Sequence, residues 1–252
     1  MTAPGGTAPG GTAATVMARF ITARTRLSPA GIVPEIRLHL AEEPMHLWEM
    51  TEQALGSSGL PPPFWAFAWA GGQALARYVL DHPEVVRSRR VIDVASGSGL
   101  VAIAAAIAGA ATVTAFDVDP FAVAAATLNA RANAVTVTVS GADILAGRGA
   151  ADAGRGAARG SGTVDAEASA DAAGTADVVL TGDAFYEKEL AGRVLRFLER
   201  AHTRGAAVLV GDLGRAYLPR SGFAELAAYD VPVLRALEDA DVKRTAVWRP
   251  AW

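Results

Sequence analysis

The sequence predicts an α/β fold with a Rossmann-like, seven-stranded, mostly parallel sheet, helices on both faces and a small N-terminal helix and strand appendage. Three observations carry this. From Phe64 onward, short apolar runs alternate with Ala- and Leu-rich helical stretches, the pattern of parallel strands joined by crossovers. The first such run, residues 91–94, opens directly into Gly97-Ser98-Gly99. Acidic residues then recur just past successive strand ends.

The elements follow in chain order. Residues 1–15 are rich in Gly, Ala, Pro and Thr and lack the charged and apolar regions of a secretory signal, so they read as a disordered tail. Residues 14–27 place Val16, Phe20, Ile21 and Leu27 at a loose helical period, and residues 34–40 alternate apolar and polar as a short strand does. A breaker run at 56–63, ending in three prolines, separates this appendage (16–60) from the main domain (61–252). In the main domain, helices are expected at 72–81, 100–108, 120–133 and 189–202. Pro120 stands where a first helical turn favours it. Strands are expected at 91–94, 112–116, 135–139, 176–180 and 206–210, with 223–228 and 243–248 as two closing strands or strand-helix pieces. Residues 146–175 carry almost no large apolar side chains and read as a mobile insertion between the third and fourth strands.

Composition excludes several function classes. Hydrophobic residues make up 51% of the 252, but Ala supplies much of that, and the most apolar stretch, 100–111, is far short of the ~20 residues of a membrane span. No membrane crossing is expected. The chain has no Cys, so neither a disulfide nor a thiolate metal site is possible, no metal is expected, and a reducing cytoplasmic setting is the default. A net charge of -3 without a basic block argues against nucleic acid as a partner and for a protein or small-molecule substrate.

A Gly turn between strand and helix lets backbone approach a ligand and aims free helix N–H groups at it. Alone, the turn could also be simply tight, with no ligand. The acidic residues discriminate, because open α/β sheets bind ligands beyond the carboxyl ends of their strands. Asp93 lies at the first strand, Asp117 and Asp119 at the second, Asp143 after the third and Asp183 after the fourth. Asp117 suits a ribose diol, since an acceptor-only carboxylate takes a hydrogen bond from each hydroxyl, and Asp143 suits an adenine amine. Asp93 can sit near a ligand ammonium through the turn. Asp119, directly before Pro120, is equally a helix N-cap candidate. The aromatic run Phe64-Trp65-Ala66-Phe67-Ala68-Trp69 reads as packing, although Trp69 beside Gly71-Gly72 suits a lid over a cofactor. A nicotinamide dinucleotide is the rival ligand. Against it, Ala102 stands where the third Gly of that fingerprint would be, and no His or Tyr/Lys pair is placed to serve hydride transfer. His39, His46, His82 and His202 all read as surface or partly packed.

Several segments together carry a resemblance. They are Val33-Pro34-Glu35-Ile36-Arg37-Leu38-His39-Leu40, Phe64-Trp65-Ala66 with Trp69-Ala70-Gly71-Gly72-Gln73-Ala74-Leu75, the 93–99 turn, Phe116-Asp117-Val118-Asp119-Pro120, Gly182-Asp183-Ala184-Phe185-Tyr186, Gly211-Asp212-Leu213-Gly214-Arg215 and Thr245-Ala246-Val247-Trp248. From about residue 20 to 248, leaving out 146–175, the chain resembles the electron-transfer flavoprotein β-subunit lysine methyltransferases, which are seven-β-strand protein methyltransferases.

The resemblance implies S-adenosylmethionine as cofactor, a protein lysine as acceptor, with the flavoprotein β subunit as partner, and a catalytic Asp-x-x-Tyr motif at Asp183 and Tyr186. The cofactor would be held by Trp69, Asp93, Ala95, Gly97, Gly99, Asp117, Asp143 and Thr181. Two positions depart from the family pattern. Its first turn glycine is Ala95 here, which costs about 1 kcal/mol if the position needs positive φ, and its Gly-Asp-Pro-Gly-Arg has Leu213 for the Pro. The alternatives are a methyltransferase of the same fold acting on a ribosomal protein or a nicotinamide-like small molecule, and a non-catalytic cofactor-binding module.

Overall fold

The computed structural model describes residues 13–42, 62–146, 174–233, 235 and 239–252. Val, Ile and Leu side chains of the central strands alternate between two covered faces, so the strands read as continuous apolar runs. On β3 (Arg90–Val94), β6 (Val178–Gly182) and β7 (Ala207–Asp212), one face presents Val91, Val178, Leu180 and Leu209. These pack with Leu75 of α2 (Ala70–Asp81) and Ile103 of α3 (Leu100–Ile107). The other face presents Ile92, Val94, Val179, Val208 and Val210 to Val194, Phe197 and Leu198 of α5 (Lys188–Thr203). Each fully buried Leu or Phe contributes about 1.5–3 kcal/mol.

With β4 (Thr112–Phe116), β5 (Thr138–Ser140), β8 (Phe223–Pro232) and β9 (Val242–Pro250), these strands form one sheet in the order β5-β4-β3-β6-β7-β9-β8. The pairs from β5 to β7 are parallel, and β9 is antiparallel to both β7 and β8. The seven-stranded, mostly parallel sheet is therefore as the sequence predicts. From β3 the chain crosses toward β4, whereas from β6 it crosses toward β7, so the carboxyl ends of β3 and β6 flank the switch point where such sheets bind ligands.

α1 (Ala13–Arg24) and the hairpin β1 (Arg26–Ala30) and β2 (Val33–Leu40) precede the sheet. The expected helix at 14–27 stops at Arg24, because residues 26–30 pair with β2; β1 is short, contains Pro29 and has no alternating pattern to mark it. The helix begins at Ala13, so 13–15 are helical, and residues 1–12 of the expected tail lie outside the described residues. β2 rests on α4 (Pro120–Ala132) through two asparagines. Asn129 accepts the His39 N–H at 2.8 Å, and Asn133 accepts the Arg37 N–H at 2.9 Å and donates to its carbonyl at 2.7 Å. Trp65 stacks on Phe121 of α4 with ring centres 5.8 Å apart.

The third strand runs 138–140 instead of the expected 135–139. The C-terminus of α4 explains this. Ala134 stands at φ 55°, and the Val135 N–H bonds back to the Ala130 carbonyl at 3.1 Å while the Ala134 N–H bonds to Arg131 at 3.0 Å. This Schellman closure uses Val135 as part of the helix end. Of the insertion expected at 146–175, residues 147–173 lie outside the described residues, as do 43–60 of the appendage and residue 61. Among the described residues no helix is long and apolar enough to cross a membrane.

Candidate active site

Three positive φ angles in five residues curl the chain after β3: Ala95 at 54°, Gly97 at 52° and Gly99 at 81°. Asp93, 1% exposed, braces this curl from beneath. Its Oδ2 accepts the Ser96 hydroxyl at 2.6 Å and the Ala102 N–H of α3 at 3.1 Å. Burial pushes its pKa up to about 7, against those two bonds and with some repulsion from Asp117. The two glycines differ in role. A Cβ on Gly97 would meet nothing within 4 Å, whereas one on Gly99 would come to 3.0 Å from the Cβ of Ala126. Gly97 thus keeps backbone open to a ligand, and Gly99 lets α3 start close against α4. Ala95, at positive φ without a glycine's freedom, carries about 1 kcal/mol of strain.

β4 ends beside this turn. Asp117 accepts the Gly97 N–H through Oδ2 at 2.8 Å and the Asp119 N–H through Oδ1 at 3.0 Å, so it clamps the turn while lone pairs remain on both oxygens. Asp119 caps α4 by accepting the Phe121 N–H at 2.8 Å. Asp143, after β5, accepts the Leu145 N–H at 3.0 Å and forms an ion pair with Arg193 of α5.

Across the switch point, β6 delivers Asp183. The close approach of α2 makes this possible, because Gly71, Gly72, Gly182 and Gly211 bring backbone against backbone; a Cβ on Gly182 would sit 2.8 Å from Cα of Gly72. The N-terminus of α2 therefore reaches Asp183, whose Oδ2 accepts the Gly72 N–H at 2.8 Å. Helix N-termini favour such a carboxylate. Burial still dominates and raises the Asp183 pKa to about 7; Arg215 and the Gly72 N–H oppose the rise, and nearby Asp212 adds to it. The Asp183 backbone stands at φ 55°, a conformation Asp tolerates better than most residues. Tyr186 lies three residues on, 46% exposed, its ring 5.4 Å from that of Phe64. Phe64 also lies 5.7 Å from the Trp69 ring, and the Trp69 indole N–H donates to the Phe64 carbonyl at 2.8 Å.

These groups enclose one cavity of about 420 Å³, within the size range of cofactor sites. Of the residues singled out in the sequence, Trp69, Asp93, Ala95, Gly97, Asp117 and Asp143 line it together with Asp183 and Tyr186. Gly99 and Thr181 do not. Gly99 is taken up by its contact with α4, and Thr181, fully buried, donates to the Val94 carbonyl at 3.0 Å and ties β6 to β3. Phe64, Arg193 and Arg215 also line the cavity and were missed as site residues. Arg193 stands on a helix fifty residues from its partner and gives no local signal. Arg215 had one: an Asp three residues before it, with Gly between, is the composition of a side-chain-stabilised turn. His39, His82 and His202 stand apart from the cavity.

The family model for ribosomal protein L11 methyltransferase (PrmA) matches residues 73–151. The electron transfer flavoprotein beta subunit lysine methyltransferase of Danio rerio is 32% identical over 236 residues, covering 91% of this chain and 81% of that protein. The chain belongs to this methyltransferase family. The Xenopus laevis enzyme of the same name is 35% identical over 204 residues, 81% of this chain and 72% of that one. Among solved structures, a magnesium protoporphyrin IX methyltransferase from Synechocystis PCC 6803 with S-adenosylmethionine bound aligns over 71% of this chain and 78% of its own, with 13% identity and a TM-score of 0.45.

This member of the family is an S-adenosylmethionine-dependent methyltransferase. Its residues fit the cofactor: Gly97 leaves open space where a side chain would intrude, Asp117 retains acceptor capacity beside it, and the cavity has room for a nucleoside with an amino-acid tail.

Proposed function

We propose that this methyltransferase modifies the ε-amine of a lysine on the electron transfer flavoprotein beta subunit. The observation that carries the reading is Asp183, a carboxylate in a dry site at the cavity wall, with one oxygen bound to α2 and the other, Oδ1, accepting no hydrogen bond among the described residues. The names borne by the relatives supply the protein partner.

The cofactor supplies an electrophilic methyl group on a sulfonium, so the protein's task is to bind, orient and desolvate. In this reading Asp117 takes the ribose hydroxyls, Asp143 lies toward the adenine amine, the backbone of Ala95 and Gly97 lies against the cofactor, and Asp93 holds that turn in shape. On the acceptor side, the Asp183 carboxylate receives a hydrogen bond from the lysine amine. Free lysine has a pKa of ~10.4. Burial lowers a lysine's pKa and has already raised that of Asp183 to about 7. The two converge, so the carboxylate can hold the proton that the amine must shed. Phe64, Trp69 and Tyr186 line the mouth with aromatic surface suited to a lysine's methylene stem.

The test is incubation with isotopically labelled S-adenosylmethionine and either the purified flavoprotein beta subunit or ribosomal proteins, followed by mass spectrometry. Label on a lysine of the beta subunit, lost with Asp183→Ala, is expected. Label confined to ribosomal proteins or to small molecules would overturn the acceptor assignment.

A further inference from the structure

Asp183 faces a cation that the reading above leaves without a part. Asp212, the last residue of β7, accepts the N–H groups of Gly214 and Arg215 through Oδ1, both at 2.6 Å. Gly214 stands at φ 91° in this turn. The turn folds Arg215 back over the sheet edge. There Arg215 Nη2 lies 3.7 Å from Asp183 Oδ1, and Cζ lies 5.8 Å from the centre of the Trp69 ring. The Arg215 side chain is 20% exposed and that of Asp183 10%.

The distance decides the role. At 3.7 Å the guanidinium makes no hydrogen bond to Oδ1, yet in a partly dry site its charge still acts strongly on the carboxylate. A carboxylate oxygen accepts more than one hydrogen bond, so the single Gly72 N–H on Oδ2 leaves the carboxylate with acceptor capacity for an amine. Arg215 stabilises the negative charge without itself donating a hydrogen bond to it. The other groups facing Asp183 are Asp212 from β7, which opposes ionisation, and the Gly71 and Gly72 N–H groups of α2, which favour it. Tyr186 stands at the mouth, and Asp93 and Asp117 line the same cavity from β3 and β4. Arg215 is the cation among the influences on Asp183.

We infer that Arg215 is a positioning residue for methyl transfer: held beside Trp69 and 3.7 Å from Asp183, its guanidinium favours the charged carboxylate without taking up a hydrogen bond that the acceptor amine would make. This rests on the reading of Asp183 as the acceptor's anchor.

Carbon-13 NMR of aspartate-labelled full-length protein, with Asp183→Asn identifying the signal, reads the carboxyl without any acceptor. Arg215→Gln is expected to raise the Asp183 midpoint by about one pH unit or more. The acid limb of kcat/KM should rise with it, lowering transfer near neutral pH by about fivefold, while calorimetry gives a cofactor Kd within about twofold of the parent. Arg215→Lys keeps the charge but loses the guanidinium's contact with the Trp69 ring, and should raise the midpoint by less. If Arg215→Gln does not fold, the Lys variant must still show a measurable rise. A midpoint unmoved in the folded variants overturns the inference, as does a loss of transfer equal at every pH. Undiminished transfer by Asp183→Asn would instead remove the acceptor reading, and the acceptor-free midpoint tells the two failures apart.

Discussion

The backbones of Gly71 and Gly211 touch: a Cβ on either residue would overlap the carbonyl oxygen of the other. This contact seats the N-terminus of α2 on the ends of β6 and β7 and so delivers the Gly72 N–H to Asp183. Because the obstructing atoms are backbone, a larger residue is relieved only by moving the helix. Gly211→Ala is therefore expected to destabilise the fold by about 2–3 kcal/mol and to depress methyl transfer beyond what the stability loss explains. Urea unfolding together with single-turnover transfer on the folded fraction checks both.

Ala95 offers the opposite case. It stands at φ 54° where a glycine would be unstrained, and Ala95→Gly should raise stability by up to about 1 kcal/mol, part of the gain being offset by the greater freedom of glycine in the unfolded chain. The cofactor Kd by calorimetry should be unchanged or tighter. A weaker Kd would mean that the Ala95 methyl makes contacts of its own.

Two buried carboxyls set an unusual pH dependence. Asp93 and Asp183 both have pKa values raised by burial to about 7 from an ordinary 3.8. Between those limits the native state holds protons that the unfolded chain has lost. Stability should therefore fall as pH rises from about 4 to about 7, by up to ~1.4 kcal/mol per pH unit for each group. Denaturant titrations without cofactor should give a smaller unfolding free energy at about pH 7.5 than at about pH 5. Asp183→Asn should flatten that slope and be the more stable protein at the higher pH, while losing transfer.

Tyr186 is half exposed at the mouth and leans on Phe64. Tyr186→Phe keeps the ring contact and is expected to retain the parent KM for the protein acceptor within about threefold. Tyr186→Ala removes it and should raise that KM by about tenfold, the equivalent of ~1.4 kcal/mol, a magnitude typical of an aromatic pair. Steady-state kinetics with the acceptor varied separates the two.

From Phe64 onward, most of the strand and helix order is legible in the chain, because periodicity and turn residues are local. Asp117, Asp143 and Asp183 announced themselves by standing just past apolar runs, and Asp93 by interrupting one. Features that depend on distant residues leave no such local mark. β1 has no alternation and exists by pairing with β2, and β5 begins late because Val135 is spent closing α4. Gly99 and Thr181 look like neighbours of a ligand, yet their space is taken by Ala126 and the Val94 carbonyl. Tertiary packing brings the carboxylates to one cavity, pairs Arg193 with Asp143 and sets Arg215 3.7 Å from Asp183. Such relationships depend on how α2, α5 and the strand ends pack together. Packing joins residues far apart in the chain, whereas propensity and spacing act only along it.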